Sequence, residues 1–239
     1  MSGTELFATF LGSVALLLWG VRMVRTGMTR AFGAVLRRII ATSTKTWPRA
    51  FLAGFGVTGV LQSSTATAVL LASFVARGLI VLPMALVVML GANIGTTLTA
   101  QVFAFDVTWL WTAGIGAGVL LFTLSEGDQA KAIGRIGIGF GLMLLSLIHL
   151  KSAAAPLEHS PLFTSLLGGL AGDPFLGFFV AVALTWLMHS SLTMVLFVMA
   201  LAAANVLPMP LAFALVLGAN VGGAIAPFSA LIRVVAPSS

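Results

Sequence analysis

Cysteine is absent from the chain, and charge is scarce. The first absence excludes disulfides, thiol chemistry and thiolate metal sites. The second excludes an ordinary soluble domain, which carries about 25% charged residues; here 8% of 239 residues are charged and 59% are hydrophobic. Such a chain cannot cover itself with solvated side chains. Several apolar runs approach or exceed the roughly 20 residues that a membrane-spanning helix needs. The expectation is an all-α polytopic membrane protein, one transmembrane domain over 1–239, in contact with a lipid bilayer. The net charge of +6 does not point to nucleic acid, because the cations lie mostly between apolar segments, as membrane orientation requires. Met1 to Glu5 has no basic region and no small-residue cleavage site stands out, so the first apolar run reads as a retained helix.

Against that background, Leu61-Gln62-Ser63-Ser64-Thr65-Ala66-Thr67 stands out as a polar run. The chain also repeats itself. Leu90-Gly91-Ala92-Asn93 recurs as Leu217-Gly218-Ala219-Asn220, at an offset of 127. The same offset takes Ser63-Ser64 to Ser190-Ser191, Pro83 to Pro210 and Gly95 to Gly222, while Gln62 falls on His189. Over 62–95 against 189–222 there are ten identities in 34 positions. Matched Leu and Ala are cheap in an apolar chain; matched Ser-Ser, Pro and Gly-Ala-Asn-x-Gly in one register are not. Repeat one covers about 6–105 and repeat two about 133–232, with an unrepeated connector helix at about 108–124. Each repeat reads as a spanning helix, a loop (25–49 in the first), the Ser-Ser segment, then a helix carrying Gly-Ala-Asn.

Ala50 to Ile80 would rise about 46 Å as one straight helix, beyond the ~30 Å hydrocarbon core. The polar run is therefore either the tip of a re-entrant hairpin or a break in a spanning helix, buried or lining a cavity. Cations weigh on the choice. With hairpins, three crossings separate equivalent points and the second repeat is inverted. Eleven cations, Arg25 among them, then lie at cytoplasmic ends and only Lys151 lies outside. Full crossings give nine against three. The positive-inside rule favours hairpins and inverted-topology repeats, with the N-terminus outside and the C-terminus cytoplasmic in a multi-pass cell membrane protein. Inverted repeats with broken helices at the midplane are an architecture of secondary transporters.

The presumed membrane core contains no Lys, Arg, Asp or Glu. Its polar residues are Gln62, Ser63, Ser64, Thr65, Thr67, Asn93, Thr96, Thr97, Thr99, His189, Ser190, Ser191, Thr193 and Asn220. Proton pumping by carboxylates lacks its groups, a di-metal hydrolase lacks ligands, and His189-Ser190 has no acid to make a triad. The expectation is no enzyme. What remains is dipole chemistry. Helices that begin at the tips present unpaired N–H groups, which with nearby hydroxyls make an anion site. Hydroxyls, carboxamides and freed carbonyls suit Na⁺, and a site lacking fixed cations has a reason to take Na⁺ with its anion. The plainer alternatives are packing or back-bonded Ser and Thr, and interhelical bonding by Asn93 and Asn220. Gly114, Gly116, Gly118, Gly134, Gly137, Gly139 and Gly141 read as helix contacts, and such faces permit a homodimer.

LQSSTAT and LGANIGTTLTA resemble the Gln-Ser-Ser-(Ser/Thr) signature and the Gly-Ala-Asn-Ile-Gly-Thr-Thr block of the sodium/phosphate cotransporter family, in its bacterial members and animal type II carriers alike. LGSVALLLWGVRMVRTGM resembles the family's first helix. The resemblance implies Na⁺-coupled symport of inorganic phosphate by alternating access, with inverted repeats and re-entrant hairpins, and no cofactor besides the coupling ion. On this resemblance the expected phosphate ligands are Gln62, Ser63, Ser64, Thr65, His189, Ser190, Ser191 and Thr193. The expected sodium ligands are Ser64, Asn93, Thr96, Thr97, Ser191 and Asn220. The second half departs from the pattern: His189 replaces glutamine, Leu192 replaces a hydroxyl, and Gly223-Ala224 replaces Thr-Thr. His189 would add pH dependence. A non-transporting regulatory or assembly subunit, and a carrier of another oxyanion, are the alternatives.

Overall fold

A computed structural model describes residues 3–104, 109–156, 169–170 and 172–235, with the side chains of 104 and 226–235 excepted. Asp106, Thr108, Glu158 and His159 lie outside the described residues. Nine helices and no strand occur among the described residues: α1 (Gly3–Ser43), α2 (Trp47–Leu61), α3 (Ser64–Ala76), α4 (Leu82–Ala104), α5 (Leu110–Leu124), α6 (Asp128–Ala154), α7 (Pro174–Met188), α8 (Ser191–Ala203) and α9 (Met209–Val235).

The 127-residue offset carries α2 onto α7 and α3 onto α8 residue for residue, and the start of α4 onto the start of α9. The backbone repeats in detail. Gln62 (φ 51°) and His189 (φ 53°) are both left-handed, as are Gly78 (φ 68°) and Asn205 (φ 57°) after the next helix. Starts repeat too: Pro48 and Pro174 sit in the first turns of α2 and α7, where a missing N–H costs nothing.

One expectation fails. Residues 25–43 are not a loop: α1 runs unbroken to Ser43, and Thr44 to Thr46 alone join it to α2. No proline interrupts 3–46, and Leu36 and Ile40, one turn apart, bury against Ala50, Val57, Met84 and Val88. Arg30, Arg37 and Arg38 take the exposed face. The glycines within α1 are tolerated because two are crossing points: a Cβ at Gly20 would meet the Gly139 carbonyl, and one at Gly27 the Ala132 carbonyl, both of α6. At 41 residues α1 is about 60 Å long, roughly twice a single crossing.

Three helices among the described residues, α1, α4 and α6, are long and apolar enough to cross a membrane. Burial agrees with a lipid surround. On α4, Leu82, Leu86, Leu90, Ile94, Leu98 and Val102 form an exposed stripe at i, i+4 spacing, and Met209, Phe213, Leu217, Val221 and Ile225 repeat it on α9. Continuous apolar ridges of this length are not left open to water. The opposite face of α4 packs backbone to backbone on α2, where a Cβ at Gly54 would run into the Val88 carbonyl and one at Gly91 into the Phe51 carbonyl. Gly218 of α9 stands likewise against the Phe178 carbonyl of α7. The Gly-Ala-Asn block is thus a close-approach device in both halves. Gly114 and Gly118 of α5 meet Gly134, Gly137 and Gly141 of α6, but Gly116 has nothing within 4 Å and is not a contact. Finally, α8 inserts between halves: Leu192, Leu196 and Ala200 share a core with Ala100 and Phe103 of α4 and with Leu17 and Met143.

Candidate functional site

The site is built at the two helix breaks. Gln62 ends α2 in the left-handed region, with its N–H on the Thr58 carbonyl at 2.7 Å. Ser63 then turns extended (φ −152°, ψ 96°) and caps α3: its Oγ accepts from the Ala66 N–H at 3.1 Å. The second break has the same form. His189 ends α7, and Ser190 (φ −153°, ψ 101°) accepts from the Thr193 N–H at 3.3 Å and from Thr193 Oγ1 at 2.8 Å. Thr58 Oγ1 and Thr67 Oγ1 are 2.8 Å apart although nine residues separate them. Nine residues of continuous helix would rise about 13 Å. The chain therefore turns sharply at Gln62-Ser63 instead of continuing as one helix.

Capping leaves donors over. The first intrahelical bonds are Thr67 N–H to the Ser63 carbonyl and Met194 N–H to the Ser190 carbonyl, and the caps take Ala66 and Thr193. The N–H groups of Ser64, Thr65, Ser191 and Leu192 are the orphans of the two first turns. With the helix dipoles behind them they favour an anion.

The two tips meet at Gly223, a residue notable in sequence only as a departure from threonine. Thr65 Oγ1 donates to the Gly223 carbonyl on α9 at 3.4 Å. A Cβ on Gly223 would stand 3.0 Å from Ser191 Cβ and 3.2 Å from Ser191 Oγ. Gly223 thus touches the first turn of α3 through its carbonyl and the first turn of α8 through its hydrogen. What reads in sequence as a degenerate block, glycine for threonine, is the contact that seats the tips together. Leu192, the missing hydroxyl, serves the core between halves.

Other expected ligands fall less closely together. Ser63 and Ser190 are buried caps, so each hydroxyl oxygen is already an acceptor. Gln62 is 9% exposed, and its Oε1 is buried without a hydrogen-bond partner. His189, its counterpart, is exposed with Nδ1 3.0 Å from the Leu187 carbonyl. Asn93 and Asn220 are exposed, and neither side chain bonds another helix among the described residues. Thr96 and Thr97 turn their hydroxyls back onto the Ala92 and Asn93 carbonyls at 2.8 and 3.1 Å. The back-bonding alternative holds for them and not for the Ser-Ser pairs.

A second correction concerns charge. A cavity of about 430 Å³ beside the first tip is lined by Arg25 together with Ser63, Thr65, Ala66, Val69, Leu70 and Ser73. The expectation of a site without a fixed cation fails here. The cause is the length of α1: Arg25 precedes the turn at 44–46 by some 18 helical residues and Ser63 follows it by about as many. Antiparallel α1 and α2 therefore bring both to one height, roughly 25 Å from the turn. A second basic cavity of about 440 Å³ gathers Arg30, Lys131 and Arg135 with Asp128, and Arg135 stacks over Phe122 at 5.3 Å.

Comparison with known proteins agrees with the motifs. The chain is 42% identical over 212 residues to the "Putative inorganic phosphate export protein YjbB" of Escherichia coli K12, covering 89% of this chain and 39% of that protein. The Salmonella typhimurium LT2 protein of the same name matches equally. The chain therefore spans about two-fifths of the length of these relatives. It is 26% identical over 227 residues to the uncharacterized protein YqeW of Bacillus subtilis 168, covering 94% of this chain and 73% of that protein. No solved structure matches. The Na⁺/Pi-cotransporter profile matches residues 16–152 and 159–234. With the profile spanning nearly the whole chain and the twin Ser-Ser breaks inside it, the chain belongs to the Na⁺/Pi-cotransporter family.

Proposed function

We propose that the chain carries inorganic phosphate across a cell membrane by Na⁺-coupled symport, with the two helical hairpins re-entering the bilayer from opposite sides as parts of inverted repeats. The observation that carries the reading is the convergence of two capped helix N-termini on Gly223. The unpaired N–H groups of the two first turns and Ser191 Oγ then lie to either side of Gly223 and would suit a tetrahedral oxyanion, which Thr65 Oγ1 would join by leaving the Gly223 carbonyl. Phosphate, rather than another oxyanion, draws its support from the family. Support for sodium comes from the family and from the unpartnered Gln62 Oε1, a hard oxygen ligand. Na⁺ is not needed to supply a missing positive charge, since Arg25 stands beside the first tip. Ser64, Ser191 and Gln62 remain the proposed sodium and phosphate ligands of the tips. Asn93, Thr96, Thr97 and Asn220 would join only after a rearrangement that turns them toward the tips. Alternating access would consist of one hairpin parting from the opposite half at Gly223.

A second reading is phosphate efflux, which the name of the Escherichia coli relative favours. The two are separated by radiolabelled phosphate flux in proteoliposomes, measured inward and outward, with and without a Na⁺ gradient. Symport requires that an imposed Na⁺ gradient drive phosphate against its own gradient. Flux that ignores Na⁺ refutes the coupling, and absence of flux in every condition leaves the non-transporting subunit.

A further inference from the structure

We infer that Arg25 is an oxyanion-gripping residue: its guanidinium, with the Ser63 hydroxyl beside it, forms a binding site for phosphate on the α1 side of the first hairpin tip. The inference rests on the phosphate reading above and names a residue that the Ser-Ser signature does not contain. Three observations carry it. Arg25 lines a cavity of about 430 Å³ in which its companions are three hydroxyl residues and three apolar ones, with no carboxylate. Its Nε is buried and has no hydrogen-bond partner, and its side chain makes no ion pair among the described residues. Arg25 is half-buried, and a guanidinium drawn partly out of water with no counter-charge has a use where an anion arrives. Lastly, Thr65 belongs both to this cavity and to the contact with Gly223, so an anion held by Arg25 lies one side chain from the place where the two tips meet.

The chemistry selects the ligand class. Guanidinium offers a planar fork of donors that pairs two oxygens of a tetrahedral oxyanion, and Ser63, whose Oγ accepts at the cap, keeps its hydroxyl hydrogen as a further donor, whereas Thr65 and Ser73 already donate to the Gly223 and Leu70 carbonyls. Because the charge is fixed, phosphate binds here without sodium, and sodium, where coupled, acts at a later step. Lysine would keep the charge and lose the fork.

The test is equilibrium dialysis of labelled inorganic phosphate against the purified full chain in detergent, in Na⁺ buffer and in Na⁺-free choline buffer, for wild type, Arg25→Gln and Arg25→Lys. Circular dichroism and gel filtration establish that each variant keeps its helices. Wild type is expected to bind in both buffers. Arg25→Gln is expected to weaken binding about tenfold or more in both, and Arg25→Lys to fall between them. If wild type binds and folded Arg25→Gln binds equally well, the role of Arg25 is wrong while the phosphate reading stands. Should Arg25→Gln misfold, a folded Arg25→Lys with wild-type affinity overturns the fork. If wild type binds phosphate in Na⁺ buffer only, the claim of sodium-free binding falls. If it binds in neither, the phosphate reading itself fails.

Discussion

Thr58 and Thr185 occupy equivalent places, one turn before the two helix breaks, and both are 0% exposed. Their hydroxyls have opposite fates. Thr58 Oγ1 lies 2.8 Å from Thr67 Oγ1. At the second break the place of Thr67 is taken by Met194, and Thr185 Oγ1 is buried without a partner. Replacing each by valine keeps the shape and removes only the hydroxyl. Thr58→Val breaks one neutral bond, worth about 0.5–1.5 kcal/mol in general and about 0.6 on average inside a membrane protein. Thr67 is not stranded, since its hydroxyl also donates to the Ser63 carbonyl at 3.2 Å, so the loss stays near the lower figure. Thr185→Val removes a buried hydroxyl whose unmet need costs about 1–3 kcal/mol. Part of that cost is relieved on substitution, and the same chemical change stabilises. For a chain of this size 1 kcal/mol corresponds to about 2–4 °C in Tm. Thermal unfolding of the two purified variants in one detergent should therefore show Thr58→Val melting below wild type and Thr185→Val above it. Shifts of the same sign would refute the reasoning, because they would mean that the two hydroxyls have like environments.

Two further contrasts follow from the packing. Gly54→Ala drives a Cβ into the Val88 backbone carbonyl, which cannot move without parting α2 from α4; a loss of at least about 1–3 kcal/mol is expected, read as a lower Tm or loss of monodispersity on gel filtration. Gly116→Ala meets nothing within 4 Å and should raise Tm by the helix-propensity gain of up to about 1 kcal/mol. Ser190→Ala removes the cap of α8 and the partner of the Thr193 hydroxyl together, whereas Ser63→Ala removes a cap alone. Both should lower Tm by the equivalent of about 1 kcal/mol, Ser190→Ala by more, in the same unfolding assay.

Much of this fold was legible because it is written twice. Register-matched Ser-Ser and Gly-Ala-Asn located both breaks, and α2 and α7 end at the residues before Gln62 and His189 as the polar runs suggested. Composition alone marked the lipid surround. Two errors have one source. Clustered arginines at 25–38 read as a loop, because positive charge outside an apolar run usually means the end of a span. In the folded chain Arg30, Arg37 and Arg38 ride the exposed face of a helix whose other face buries Leu36 and Ile40. An i, i+4 apolar pair within the cationic segment was the signal available. Extending α1 is also what carries Arg25 to the tip. The site's meeting point was not legible at all. Gly223 looked like a lost threonine, and only the approach of Ser191 from a helix 32 positions earlier gives the glycine its use.

The central claim is that the two tips share one oxyanion. It is tested most directly by the stoichiometry of labelled phosphate bound to the purified chain at saturation, for wild type and for Thr65→Val and Ser191→Ala. A shared site predicts that Thr65→Val and Ser191→Ala weaken the binding of one and the same phosphate, whether or not Arg25 holds another. Two phosphates per chain, with Thr65→Val weakening one and Ser191→Ala weakening the other, would contradict it.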